Sequence, residues 1–453
     1  MKELLITSLL GIAVLALDIV RIRKAILPVI VIGFLATIAS CAMDWGMNEN
    51  PFNNNMLIMD NFALGFIAIL SIVAMFWFLI SSDYFVNDVS RTDLYALVVF
   101  SFCGAMVLSA YSNLVMLFIG IEILSIPMYV LATSNKKSLT SNEAGFKYFF
   151  LGALASAILL FGIALIYGAT GSFDMAAISA HISDSGTGTI MTAGILMIMI
   201  GFFFKVSIAP FHMWTPDVYQ GSPTVITALM STVVKGAAFA AMFRFFYLGF
   251  SSSLEYTSTI FAVTAALTLI VSNVMAVLQT NTKRLLAYSS ISHAAFMLGA
   301  VMTASSTNPR TLMYYILVYS IASLTSFTVL YQVSKIQNGA EGFDAFKGLV
   351  RRSPLMAGAM TLSLLSMAGI PPLAGFMAKY FIISAVLDAG YTWLVILMIL
   401  SSAVAVYYYL RFIVAIFTPI ENAGRIVLND IQRIVMIIFT VALVALFFLA
   451  AFV

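Results

Sequence analysis

Windows of about 20 apolar residues, each long enough to cross a hydrocarbon layer of about 30 Å, recur along almost the entire chain. They cover residues 3–20, 25–43, 60–81, 93–111, 113–133, 143–168, 189–209, 223–248, 255–278, 284–304, 310–334, 354–390, 391–417 and 431–453. Of the 453 residues, 62% are hydrophobic and only 9% charged, where a soluble domain has about a quarter charged. The sequence therefore predicts an all-α polytopic membrane protein with about 14 transmembrane helices, with the lipid bilayer as its main solvent. A water-soluble enzyme and a disordered chain are excluded. No nucleic-acid partner is expected either, because 22 Lys and Arg face 19 Asp and Glu, and a net charge of +3 does not steer a polyanion. Two cysteines, Cys41 and Cys103, exclude a disulfide framework and a cysteine-ligated zinc or iron–sulfur site, so no metal is expected on this chain.

The first apolar run lacks a small-residue cleavage pattern and is followed by Arg21, Arg23 and Lys24, which reads as a first span with a basic stop. Loops after odd-numbered spans hold fourteen Lys and Arg, Arg91 among them, whereas the opposite side has only Lys2 and Arg310. By the positive-inside bias both termini face away from the cytoplasm. The longest outer loops, near 44–55 and 171–188, contain acidic residues and no Lys or Arg, which fits that orientation.

With these sixteen placed, six of the 22 basic residues remain: Lys147, Lys205, Lys235, Arg244, Lys379 and Arg411. Arg244 and Arg411 lie near span ends and are expected to snorkel to headgroups. Lys205, Lys235, Lys379 and the mid-span Glu122 are harder to place. At about 2.5–3.5 kcal/mol for each charge, these four imply an insertion cost on the order of 10–14 kcal/mol. Intramembrane ionisable groups are by default functional candidates. The plainer alternatives are an interfacial anchor for Lys147, a static counter-ion for Glu122 and a hydrogen-bonded core histidine for His293. Ser289, Ser292 and His293 are spaced to share one helical face, and Tyr319, Ser323 and Ser326 form a similar stripe on the next span. Hydroxyls and an imidazole on facing helices are able to hold a chain of waters.

Helix breakers supply the second signal. Pro210 and Pro216 are expected to interrupt span 7, and residues 369–375, with Pro371 and Pro372, to interrupt span 12. Free backbone at membrane depth is tolerated only inside protein or along a wet cavity. The two breaks are five spans apart, and an odd offset reverses direction through the membrane. This predicts two inverted five-helix repeats, a transporter architecture. The expected divisions are 1–111 for spans 1–3 and the start of span 4, 93–248 for the first repeat, 255–417 for the second, and 431–453 for a C-terminal helix. Spaced lysines joined by water and hydroxyls suit protons, and no dense carboxylate cage for Na⁺ or Ca²⁺ is present.

Residues 118–127 (FIGIEILSIP), 204–217 (FKVSIAPFHMWTPD), 231–236 (STVVKG), 283–293 (KRLLAYSSISH) and 369–379 (GIPPLAGFMAK) resemble the antiporter-like membrane subunits of respiratory complex I. Lysine at 379, and Lys147 in 143–152 (EAGFKYFFLG), make the chain similar to the N branch of that family rather than the M branch. The lack of a long lateral helix separates it from the L branch. The resemblance implies a proton relay in which Glu122 and Lys205 form a charged pair with Lys147 nearby. Lys235 would be the central group, His293 a bridge, and Lys379 the group exchanging protons with the outer side. It also implies a bacterial inner-membrane location, with other membrane and peripheral subunits of complex I as partners. NADH, FMN, iron–sulfur clusters and quinone would belong to those partners. The competing family is the multi-subunit Na⁺/H⁺ antiporter.

Overall fold

Most of the helices are apolar on every side, the mark of a helix facing lipid outward and protein inward. The computed structural model describes the whole chain except residues 48–50, 53–54, 87–92, 305–307, 421–423 and 453. Arg91, Val453 and part of the 44–55 loop therefore lie outside the described residues. In chain order the helices are α1 (Lys2–Ile19), α2 (Ile26–Asp44), α3 (Asn61–Val86), α4 (Asp93–Ala110), α5 (Leu114–Ala132) and α6 (Leu139–Thr170). There follow α7 (Met175–Ser185), α8 (Thr189–Val206), α9 (Trp214–Gly221) and α10 (Thr224–Gly249). The remainder are α11 (Leu254–Leu278), α12 (Thr282–Met302), α13 (Pro309–Ile336), α14 (Pro354–Ala368), α15 (Ala374–Asp388), α16 (Thr392–Phe417) and α17 (Asp430–Leu449). Among the described residues the only strand pairing is a two-residue ribbon, Pro51–Phe52 against Leu57–Ile58. The chain is an all-α polytopic membrane protein.

Among the described residues twelve helices are long and apolar enough to cross a membrane, fewer than the fourteen windows of the sequence. The first window forms α1, which carries three charges in 18 residues: Lys2, Glu3 and Asp18. The 354–390 window is divided into α14 and α15, each of 15 residues; at 1.5 Å per residue each spans about 22 Å, short of the hydrocarbon thickness. The outer 171–188 segment, read from sequence as a loop, contains α7, capped by the Asp174 side chain accepting from Ala177 N–H.

α10 and α12 are buried over almost their whole length, while α2, α6 and α17 turn most of their surface outward. α12 touches α9, α10, α11, α13 and α15 and so sits at the centre of the bundle. Small residues allow the closest crossings. At α6 against α8, a Cβ on Gly162 would lie 2.7 Å from the Gly194 carbonyl oxygen. Directly before Lys235 the α10 backbone is wound as a π-helix over Met230–Val234, a local insertion that re-aims the following side chains.

The chain breaks where its prolines accumulate, and each break is internally satisfied. α8 stops at Val206, and Ser207 takes a left-handed conformation (φ 68°). The freed groups find side chains: Trp214 Nε1 donates to the Phe204 carbonyl at 3.0 Å, and Ala209 N–H to Thr268 Oγ1 at 2.9 Å. Pro216, expected to break the span, lies inside α9, in a first turn where a backbone donor has no intrahelical partner. α14 stops at Ala368 before Gly369 (φ 88°). Gly375 N–H then donates to Ser366 Oγ at 3.1 Å, so close an approach that a Cβ there would lie 1.8 Å from the Ser366 carbonyl oxygen.

Candidate functional site

Lys205, Lys235 and Lys379 are 6%, 2% and 6% exposed, and among the described residues none has a carboxylate oxygen within 4.0 Å. Hydroxyls and carbonyls hold them instead. Lys205, in the last turn of α8, donates from Nζ to Ser125 Oγ at 2.6 Å and to the Tyr148 hydroxyl at 3.5 Å. Lys235 donates to Ser290 Oγ at 2.7 Å and to the Ser290 carbonyl at 3.0 Å. Lys379 donates to the carbonyl of Ala368, the last residue of α14, at 3.0 Å and to Ser402 Oγ at 3.4 Å. Its Nζ also lies 4.9 Å from the centre of the Phe296 ring.

Glu122 and Lys205, expected as a charged pair, are not within ion-pair distance of each other. Ser125, one turn beyond Glu122 on α5, takes the ammonium, and Glu122 Oε1 is buried with no hydrogen-bond partner. A cavity of about 10 Å³ lined by Ser125, Tyr129, Ser156 and Lys205 adjoins them, about the room for one water.

Lys147 has a different setting. Its side chain is 39% exposed and bridges Glu143 at 2.7 Å and Asp217 at 2.9 Å. Arg284 also donates to Asp217, at 2.8 Å. Partial burial pushes the Asp217 carboxyl up, but hydrogen bonds from Lys147 and Arg284 outweigh it and hold the group below the usual carboxylate range. These residues floor an open vestibule of about 650 Å³ whose lining includes Glu143, Lys147, Asp217, Lys283 and Glu341. Lys283, read from sequence as a loop cation, is 3% exposed and donates to the Ser222 carbonyl. Tyr148, next to Lys147, points inward to Lys205, so α6 places a vestibule group and a core group on consecutive residues.

From there a polar and aromatic thread crosses the bundle. Tyr148 stacks on Trp214 with ring centres 4.7 Å apart, and Trp214 meets Tyr219 at 6.1 Å. Tyr219 and Tyr319 both lie near Ser290, which holds Lys235. His293 continues the thread: its ring lies 4.9 Å from Tyr319, and its Nδ1 is 2.8 Å from the Tyr315 hydroxyl. A second cavity of about 10 Å³, lined by His293, Tyr315, Tyr319, Ser366 and Gly375, opens toward the α14–α15 break.

The two expected stripes are dispersed. Ser289 bonds the Tyr409 hydroxyl on α16, Ser292 bonds Asn273 on α11 at 3.0 Å, and His293 faces α13. Ser323 meets Ser231 on α10 at 3.1 Å, and Ser326 meets Ser363 on α14 at 2.9 Å. Ser125, Tyr148, Tyr219, Ser290 and Tyr315 join the site without having been expected there; Ser125, Tyr148 and Ser290 lie within three residues of Glu122, Lys147 and His293, whereas Tyr219 and Tyr315 have no expected site residue near them in sequence. Arg244 does not snorkel to headgroups as expected. Arg244 is 1% exposed and donates from Nη1 to both Asp60 oxygens at 3.0 and 2.9 Å and from Nε to the Tyr111 carbonyl at 2.6 Å. Arg411 donates to the Val277 and Gln279 carbonyls at the end of α11.

Membrane-length helices enclosing buried lysines beside helix breaks define a polytopic membrane protein with an antiporter-like core. The family model described as NADH:quinone oxidoreductase/Mrp antiporter, TM, matches residues 111–405. A protein of Cytophaga hutchinsonii named NADH-quinone oxidoreductase subunit N is 40% identical over 424 residues, covering 93% of this chain and 91% of its own. Its namesake from Flavobacterium psychrophilum is 38% identical over 454 residues, covering 98% of both chains. Among solved structures, a chain of respiratory complex I from Thermus thermophilus with bound aureothin is 33% identical with a TM-score of 0.84, covering 99% of this chain and 97% of that one. A chain of the Mrp complex from Dietzia shares the fold, with a TM-score of 0.85 over 99% of this chain and 94% of that one, at 20% identity. The chain belongs to the NADH:quinone oxidoreductase/Mrp antiporter membrane family.

Proposed function

We infer that this chain is the N-type membrane subunit of a proton-translocating NADH:quinone oxidoreductase and carries protons along Glu122, Lys147, Lys205, Lys235, His293 and Lys379. The observation that carries the reading is the set of three buried ammonium groups with no carboxylate in contact, joined by hydroxyls and aromatic rings. A buried cation held only by neutral partners is costly, so its protonation is sensitive to any charge that moves nearby. Moving one elementary charge through the membrane field involves about 2.3 kcal/mol per 100 mV, enough to shift such a group between states.

Lys147 and Asp217 exchange protons with the vestibule, and Glu122 and Lys205, bridged by Ser125, act as the first buried station. Lys235 on Ser290 is the central station, His293 bridges it to the second half, and Lys379 exchanges with the opposite side. Counting α1 as one crossing and α14 with α15 as another gives fourteen crossings. The breaks after α8 and α14 then occupy corresponding places in two inverted repeats, 93–248 and 255–417. The excess of Lys and Arg in the vestibule-side loops orients that face to the cytoplasm and both termini away from it, in a bacterial inner membrane. NADH, FMN, iron–sulfur clusters and quinone belong to partner subunits; with two cysteines, Cys41 and Cys103, this chain has too few thiolates for a four-cysteine cluster.

The test is purification of the native assembly through a tag on this chain. NADH:quinone oxidoreductase activity, iron–sulfur absorbance and Na⁺-independent ΔpH formation in vesicles are expected. A partner set of small membrane proteins alone, with Na⁺-dependent exchange, overturns the reading in favour of a cation/proton antiporter.

A further inference from the structure

A second polar run enters the bundle away from the vestibule. Gln432 on α17 and Gln332 on α13 are 0% and 4% exposed, unusual positions for amides in an apolar bundle. Gln432 Nε2 donates to Asp83 Oδ2 at 3.2 Å and to the Ile80 carbonyl at 3.1 Å, and its Oε1 accepts from Gln332 at 2.9 Å. Asp83, near the end of α3, is 28% exposed. The charged and titratable groups facing it among the described residues are Lys335 on α13, at 3.9 Å, and the Tyr95 phenol on α4. Asp83 lies on the face of the bundle where the vestibule opens, since the adjacent Tyr84 hydroxyl meets Ser134 Oγ at 3.2 Å, but neither it nor the two glutamines line that vestibule.

Inward of the glutamines, Ile80, Ser81, Ala228 and Thr328 line a cavity of about 10 Å³. The Ala228 carbonyl on its wall accepts from Ser231 Oγ at 3.0 Å, and Ser231 meets Ser323 at 3.1 Å. Both serines lie near Tyr319, which in turn lies near Ser290, the residue that holds Lys235. The hydroxyls of Ser71 on α3 and Ser320 on α13 are also buried, each without a hydrogen-bond partner. Buried polar groups of this kind are ordinarily satisfied by internal water.

We propose that Asp83, Gln432 and Gln332 form the mouth of a second proton inlet that follows the seam of α3, α10 and α13 and joins the vestibule path at Ser290 and Lys235. This rests on the proton-relay reading above. Each passage moves one proton from water at Asp83 to the neutral Lys235 amine. The amides act only as hydrogen-bond partners for water, and the hydroxyls pass one O–H proton while receiving another. A clamp holding α17 is made by Asn429 and Gln432 donating to Asp83 at 2.8 and 3.2 Å, and the Ser81 and Thr328 hydroxyls donate to the Phe78 and Leu324 carbonyls of their own helices; neither gives a reason for the unsatisfied hydroxyls of Ser71 and Ser320 farther inward.

The experiment compares the whole assembly, reconstituted in vesicles, with Gln332→Leu, Gln432→Leu and the near-isosteric Thr328→Val in this chain, and with Lys235→Ala as reference. Assembly is checked by native gel electrophoresis, and Thr328→Val carries the test if a glutamine variant fails to assemble. The initial rate of NADH-driven ΔpH formation is expected to fall roughly threefold to tenfold, as for loss of one hydrogen-bonding group in a transfer path. A supply-limited inlet delivers fewer protons as they become scarce, so the deficit should widen as pH on the vestibule side rises from about 6 to about 8. A purely structural defect would be independent of pH. Thr328→Val at the wild-type rate, or a deficit constant with pH, overturns the inlet while a fall in Lys235→Ala leaves the relay standing. Wild-type pumping by Lys235→Ala overturns the relay itself and the inlet with it.

Discussion

Lys235 is fastened to Ser290 at two points, its Nζ 2.7 Å from the hydroxyl and 3.0 Å from the carbonyl of the same residue. The π-helical turn before Lys235 places the ammonium opposite α12, and Tyr219 and Tyr319 lie near the same serine. Ser290 is thus the junction at which the first-half thread, the central lysine and the His293 branch meet.

Ser290→Ala removes one of the two contacts that hold the Lys235 ammonium. Loss of one hydrogen bond to a charged group is worth about 1.5–3 kcal/mol, which predicts at least a tenfold fall in coupled quinone reduction and ΔpH formation with normal assembly. Ser290→Thr keeps the hydroxyl and should retain most activity. Parallel assays of the two variants in vesicles check this.

Ser125 stands between Glu122 and Lys205 and takes the ammonium at 2.6 Å. Ser125→Ala should lower proton pumping several-fold, and Glu122→Gln should add little to it if both act through one bridge. A double-mutant cycle on the pumping rate measures this: strong non-additivity is expected for a shared path, and independent effects would separate the two residues.

Arg244 and Asp60 are expected to matter for stability rather than transport. Arg244→Leu leaves the Asp60 carboxylate half-buried without its partner, a loss of about 3–5 kcal/mol for a broken buried pair. The thermal midpoint and yield of the assembly should drop, while protons moved per NADH in the assembled fraction stay at the wild-type value. Thermal denaturation and vesicle assays on the same preparation separate the two effects.

Asp217 supplies a pH dependence with a definite sign. Its carboxyl is held below the usual range in the folded chain, after the opposing effect of burial. The bridge to Lys147 and Arg284 is therefore fully present above the unfolded carboxylate value of about 3.9 and is lost as pH falls through the lower folded value. Asp217→Asn should lower thermal stability modestly at neutral pH, because the site is open to water, and the difference from wild type should vanish on strong acidification. Thermal scans of both proteins across acidic pH test this.

The sequence makes the membrane class and the ionisable core legible for one physical reason: charge in hydrocarbon is rare because it is costly. Lys205, Lys235 and Lys379 stand out of apolar runs without reference to their neighbours. Their partners do not. Ser125 and Ser290 are of a type that bonds its own helix backbone or faces lipid as readily as it binds a lysine, so their roles appear only once α5 meets α8 and α10 meets α12. Arg244 looked like an interfacial anchor because its partner Asp60 lies 184 positions away in the chain. Lys147 lies only a few residues inside its window, which leaves an interfacial anchor open from sequence, and the opening beside α9 gives it water and two carboxylates. The division of the 354–390 window was legible in its double proline; the restart of α9 through Pro216 was not, since proline is tolerated in a first helical turn.

The most direct test of the relay is the number of protons moved per NADH oxidised by the reconstituted assembly carrying Lys235→Ala. The account predicts that ΔpH formation collapses together with coupled quinone reduction while the assembly and its NADH oxidation by artificial acceptors stay intact. Wild-type ΔpH formation in that variant would contradict it.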